Sequence, residues 1–316
     1  MSSYARSPLA VAVALAATFS PLAAAAAPTG AFDSVVIFVQ PNSAPPQPGN
    51  YQADFQKAAS FAPTPIPHMP PQFAKLAQAA SNMSLVFGPG VAEKHYVGTT
   101  KQRIENVAAG TADITDCRAR TLTHLDLKAK TYTVSSLDQP PAQSAPGGGN
   151  GQPGPAPTDD GSKLAIAMTT RALGATRLEG VDTNGYDMKM KVTATKPNGA
   201  TSTFNTEVIE YFSALPEPNL DCVNDRVSGG NNLMSPTAIQ FGLITHALSA
   251  AKGDPRFSVT NSGPAAPAGR LSMWELMTMQ SPDTRGSVSI ETERGNVHAV
   301  ADSDPAFKVP PDFKKV

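Results

Sequence analysis

The stretch Gly98–Asp138, GTTKQRIENVAAGTADITDCRARTLTHLDLKAKTYTVSSLD, reads as short strands folding back on one another. Lys101–Val107, Thr111–Cys117, Arg120–Leu125 and Thr131–Leu137 are each strand-sized. Gly98-Thr99-Thr100, Ala108-Ala109-Gly110 and Asp126-Leu127-Lys128-Ala129 separate them as turns. Thr131-Tyr132-Thr133-Val134 is β-branched and aromatic, which suits a pleated surface. The stretch points to a β fold and carries no reaction of its own.

The strand pattern extends outward on both sides. Upstream, Ala31–Gln40 is a strand centred on Val35, Val36, Ile37 and Phe38. Pro41–Pro71 then holds nine prolines in 31 residues, which forbids long regular structure. Between the proline clusters, Tyr51–Ser60 can form a short helix with Asn50 as its N-cap. Pro71–Ser81 predicts a second helix, with Phe73, Leu76, Ala77 and Ala80 on one face. Ser84–Phe87 and Ala92–Val97 open the main run of strands.

Downstream, Gln139–Ser162 contains six Pro and six Gly in 24 residues and reads as a disordered linker. It includes a literal GxGxxG at Gly149–Gly154. No strand precedes it and no helix follows, so the match is chance. Strands resume at Lys163–Arg171, Ala175–Val181, Asp187–Thr195 and Ser202–Ser213, with breaks at Gly174, Asn184-Gly185 and Asn198-Gly199. Ser235–Ala251 has the clearest helical pattern, with Leu243 on its apolar face. Gly253–Gly269 is a second loop. Leu271–Gln280 matches a capping box (Ser272, Glu275) and also an alternating strand, with propensity alone favouring helix. Gly286–Val300 is strand-like, with a turn at Arg294-Gly295-Asn296. The predicted organisation is a signal (1–27), a proline-rich region (28–83) and one sheet domain (84–316), interrupted at 139–162 and 253–269.

Arg6, the apolar run Pro8–Phe19 and the small residues Ala23–Ala27 have the layout of a secretory signal cleaved near Ala26/Ala27. The expectation is a periplasmic or secreted protein that does not span the membrane once processed. The chain carries 25 basic and 26 acidic residues with no basic stripe, which argues against nucleic acid. Its two cysteines, Cys117 and Cys222, read as one disulfide in an oxidising compartment, with two buried thiols as the alternative.

Three pieces carry a resemblance: Asp116-Cys117 with Lys130–Val134, the segment Gly174–Met190, and the ending Phe307-Lys308-Val309-Pro310-Pro311-Asp312-Phe313-Lys314-Lys315-Val316. Together they resemble an exported bacterial family of unknown function, similar in fold to the periplasmic lipoprotein carriers and their outer-membrane receptors (LolA/LolB-like). The resemblance implies an α+β fold, mainly β: a curved antiparallel half-barrel wrapped around one or two helices. It also implies a strand for Leu271–Gln280. No functional residue of the carriers transfers.

Catalytic and metal signatures are lacking. His68, His95, His124, His246 and His298 are not at ligand spacing, and no serine-nucleophile motif occurs, so no enzyme, cofactor or metal is predicted. His124 near Asp126 is the one imidazole–carboxylate pairing suggested, at a hairpin end. Met168, Met188, Met190, Met273 and Met277 on strands, with Leu243, form either an ordinary core or the lining of an adaptable apolar cavity. The expected function is binding of a lipid or other apolar ligand. The alternative is a structural module of the cell envelope that contacts an envelope protein partner.

Overall fold

The computed structural model describes residues 29–39, 46–61, 89–138, 161–218, 220, 222, 256–280 and 287–316. Thirteen strands are β1 (Gly30–Val39), β2 (Val91–Val97), β3 (Lys101–Asn106), β4 (Thr111–Asp116), β5 (Thr121–Asp126), β6 (Thr131–Ser136), β7 (Lys163–Leu178), β8 (Val181–Thr195), β9 (Thr201–Pro216), β10 (Phe257–Ser262), β11 (Arg270–Gln280), β12 (Ser287–His298) and β13 (Lys314–Lys315). They form one open curved sheet in the order β10-β7-β8-β9-β11-β12-β1-β2-β3-β4-β5-β6-β13. Every pairing is antiparallel except the two at the edges, β10–β7 and β13–β6, which are parallel. β1, grouped by sequence with the proline-rich region, lies in the middle of this sheet between β12 and β2.

A ten-residue period builds β3–β6: six residues of strand, then four of turn. Thr111, Thr121 and Thr131 open successive strands. Asn106, Asp116 and Asp126 close β3, β4 and β5, and each side-chain Oδ1 accepts a hydrogen bond from the amide three residues on, at Ala109, Ala119 and Ala129. The last turn residue takes positive φ: 69° at Gly110, 55° at Arg120, 53° at Lys130. A local side-chain acceptor and one left-handed residue suffice to reverse the chain each time.

Where the strands lengthen, bulges bend them. Register shifts interrupt β7–β8 between Ala172 and Gly174 and β9–β11 on both sides of Ser272. Arg294-Gly295-Asn296, expected as a turn, instead runs on inside β12, whose register against β1 shifts between Gly295 and His298, with Asn296 at φ 52°. The Asn184-Gly185 expectation also fails. Both residues continue β8, and the hairpin turns at Glu179-Gly180, where both φ values are positive as a two-residue turn requires. Asn198-Gly199 does turn, with Gly199 at φ 80°. Leu271–Gln280 is strand, so its capping box is inactive.

The sheet has two faces. One, the helix face, packs against α1 (Tyr51–Ala59) through Val35, Ala92 and Ile37, which meet Tyr51, Phe55 and Ala58. Asn50 stands at the N-cap, although its side chain makes no capping bond. The same face receives the C-terminal segment. Val300 and Phe307 pack on Ala31 and Tyr96, while Val309 and Phe313 pack on Ala112, Ile114 and Leu125. The chain then joins the edge as β13, with the Lys314 amide donating to Lys130 O. Among the described residues α1 is the one α-helix, beside the single 3-10 turn Pro305–Phe307, so a sheet wrapped around helices overstates their share. The predicted helices Pro71–Ser81 and Ser235–Ala251, the strand Ser84–Phe87, most of the 139–162 linker and the 1–27 signal lie outside the described residues.

Cys117 and Cys222 are bonded, with Cα atoms 5.8 Å apart. The connection shows why the sheet must curve. Six residues lead from Pro216, the end of β9, to Cys222, a reach of at most about 22 Å. A flat sheet would set β9 and β4 about 29 Å apart, six strand spacings. Reach and disulfide together span less than that, so curvature brings the two ends into range.

Candidate functional site

Cross-strand register gathers methionines on the face opposite α1. One row across β7, β8, β9 and β11 reads Met168–Met190–Thr206–Met279. The next reads Thr170–Met188–Val208–Met277 and continues to Ile290 on β12. Met190, Val208 and Met277 are buried, while Met168, Met188 and Ile290 are half-buried. Four of the six residues expected to line a cavity therefore share this face. Met273 lies in the bulged part of β11, clustered with Phe32, Leu178 and Trp274. Leu243 is outside the described residues.

The third row changes character. Glu210 on β9 faces Glu275 on β11, which faces Thr292 on β12. All three are buried, at 5%, 1% and 3% exposure. Burial pushes the Glu210 carboxyl up to about 8, and Glu275 opposite adds to the rise. Among the described residues Thr292 Oγ1 has no hydrogen-bond partner. Beyond this row Arg294 donates to Ser272 O at 2.6 Å and lies over the Phe32 ring. Sequence reading missed this row. The available signal was parity: Glu210 alternates in step with Thr206 and Val208, so placing Val208 inward places Glu210 inward as well.

Farther along the same face, Ser34, Glu93 and His95 meet. Ser34 Oγ lies 3.0 Å and Glu93 Oε2 3.2 Å from the same atom, His95 Nε2. A proton relay needs the hydroxyl and the carboxylate on different ring nitrogens. With both on one nitrogen the trio orients the ring, which stacks on Phe32 with centroids 4.7 Å apart. His124 pairs with Asp113 across β4–β5 at 2.8 Å, both side chains half exposed. The suggested partner Asp126 instead accepts the Lys128 and Ala129 amides in its own turn.

The helix face holds a second buried acidic pair. Trp274 Nε1 donates to Glu291 Oε1 at 2.8 Å. Burial raises Glu291 to about 7, against the pull of that bond. Glu293 rises to about 8 through burial, then through Glu291 and Asp54. Among the described residues neither Glu293 oxygen completes a hydrogen bond, and the Asn50 and Gly49 amides at the start of α1 hold the rise in check. Among the described residues no three His, Cys, Asp or Glu are arranged to hold a metal ion.

Comparison with protein families, with curated proteins and with solved structures finds no match to this chain. Among the described residues no helix is long and apolar enough to cross a membrane, which leaves strands unaddressed.

Proposed function

We propose that the protein is a non-enzymatic, exported binding protein of the cell envelope that takes a lipid or other apolar ligand on its methionine face. The observation that carries this reading is the register of Met168 with Met190 and of Met188 with Val208 and Met277. Unbranched thioether side chains repack around ligands of varied shape at little cost. The disulfide supports an oxidising compartment, in keeping with the leader-like N-terminus. The test is native mass spectrometry and solvent extraction of protein purified from its own cells. Co-purifying acyl species support the reading; protein that is repeatedly empty and takes up no added lipid removes it.

A second reading, a structural module with a filled core, draws on the burial of Ile166, Met190, Val208 and Met277 at 5% exposure or less. Crosslinking in intact cells tests it. A reproducible envelope partner together with an empty protein favours the module; no partner tells against it.

A further inference from the structure

Three neighbouring strands make the same change of character at the same level. Val208, Met277 and Ile290 form one row, and Glu210, Glu275 and Thr292 stand in the next. Resting on the lipid-binding reading, we propose that the Glu210–Glu275–Thr292 row receives an uncharged, hydroxyl-bearing head group, as in a monoacylglycerol, whose acyl chain lies along the methionine rows.

The argument is electrostatic first. Glu210 and Glu275 are cross-strand neighbours, both buried. Burial, with Glu275 opposite, lifts the Glu210 carboxyl to about 8, so it keeps its proton at pH 7. A hydrogen bond from Ser272 and the nearby Arg294 guanidinium pull the other way without undoing the rise. A phosphate or carboxylate head would meet the oxygens of two glutamates, and an ammonium head would lie beside the guanidinium. A hydroxyl donates to a glutamate oxygen and accepts from the protonated Glu210, so it matches the row.

The second observation is Thr292. Its hydroxyl is buried on the same face as Glu275 and, among the described residues, has no partner. Buried hydroxyls are nearly always paired, and an orphan beside two buried glutamates marks a place for one more polar group. The apolar rows alone would accept any acyl chain; the polar row supplies the choice among head groups.

The test uses the full chain, stripped of lipid, and three probes with one fourteen-carbon chain: the monoacylglycerol, the fatty acid and the alkyltrimethylammonium. Binding is read by calorimetry at pH 7. The monoacylglycerol should bind about ten-fold tighter than either charged probe, the worth of about one hydrogen bond to a charged partner. Thr292→Val keeps the shape of the side chain and should weaken the monoacylglycerol about five-fold while leaving the fatty acid unchanged. Equal binding of the three probes, or a Thr292→Val protein with unaltered monoacylglycerol affinity, overturns the head-group assignment and leaves the apolar face standing. No binding by any probe overturns the lipid reading itself.

Discussion

Tyr211 occupies the space that a side chain on Gly185 would fill: a Cβ added there would lie 2.6 Å from the Tyr211 ring. The two residues are direct neighbours across β8 and β9, and Tyr211 in turn meets Trp274 edge-on, with centroids 6.0 Å apart. Gly185 thus serves packing rather than reversal.

Gly185→Ala should destabilise by about 1–3 kcal/mol, because the ring has to leave its place against Trp274. Gly199→Ala, in an open turn at φ 80° with nothing near the added atom, should cost about 1 kcal/mol of backbone strain. Urea denaturation of both variants checks the ranking.

The disulfide joins Cys117, just past β4, to Cys222, six residues past β9, at a sequence separation of 105. Replacing both cysteines by Ala should lower stability by about 4–5 kcal/mol in the chain-entropy account. Adding a reductant should reproduce the loss in the wild type and do nothing to the double variant.

Asp126 anchors its turn with two amide hydrogen bonds, at 3.0 and 2.8 Å. Asp126→Ala should cost about 1–2 kcal/mol, with Asp126→Asn losing less, since the amide oxygen still accepts. Chemical denaturation of the pair checks it.

Phe307 is buried against Ala31, Val300 and Tyr96. Phe307→Ala should cost about 3–5 kcal/mol and speed hydrogen exchange at β2 and β3, where the C-terminal segment covers the helix face.

Stability should fall as pH rises from about 4.5 to 8. Glu210, Glu291 and Glu293 have folded values of about 8, 7 and 8, above the ordinary 4.5, mainly because burial disfavours the charge. The native state therefore keeps protons that the unfolded chain releases. This stabilisation is complete below the unfolded value and disappears as pH climbs through the folded values. Asp116 and Asp302 act oppositely. Hydrogen bonds from Ala119 and Lys101, and from Thr99, hold them below 3.8, so their contribution is lost in acid. Thermal midpoints should be roughly 5–10 °C lower at pH 8.5 than at pH 5. The variant combining Glu291→Gln and Glu293→Gln should flatten much of that difference.

How much of this was legible in the sequence depends on the range of the forces involved. The strands of Gly98–Asp138 emerged within a residue or so, because Asn106, Asp116 and Asp126 each form their turn with amides two or three residues away. Asn184-Gly185 misled, because the demand on Gly185 comes from Tyr211, 26 positions on. Leu271–Gln280 leans to helix on local propensity and its capping box; pairing with β9 and β12 makes it strand.

The sequence by itself determined the β character, the short turns and the pair of sulfurs available to bond, all of which follow from local backbone preference and residue chemistry. Only the tertiary structure decided that Glu210, Glu275 and Thr292 stand in one row and that Glu293 lies beneath the start of α1. Strand order and register set those neighbours, and both are fixed by burial summed over the whole sheet, a quantity no single segment contains.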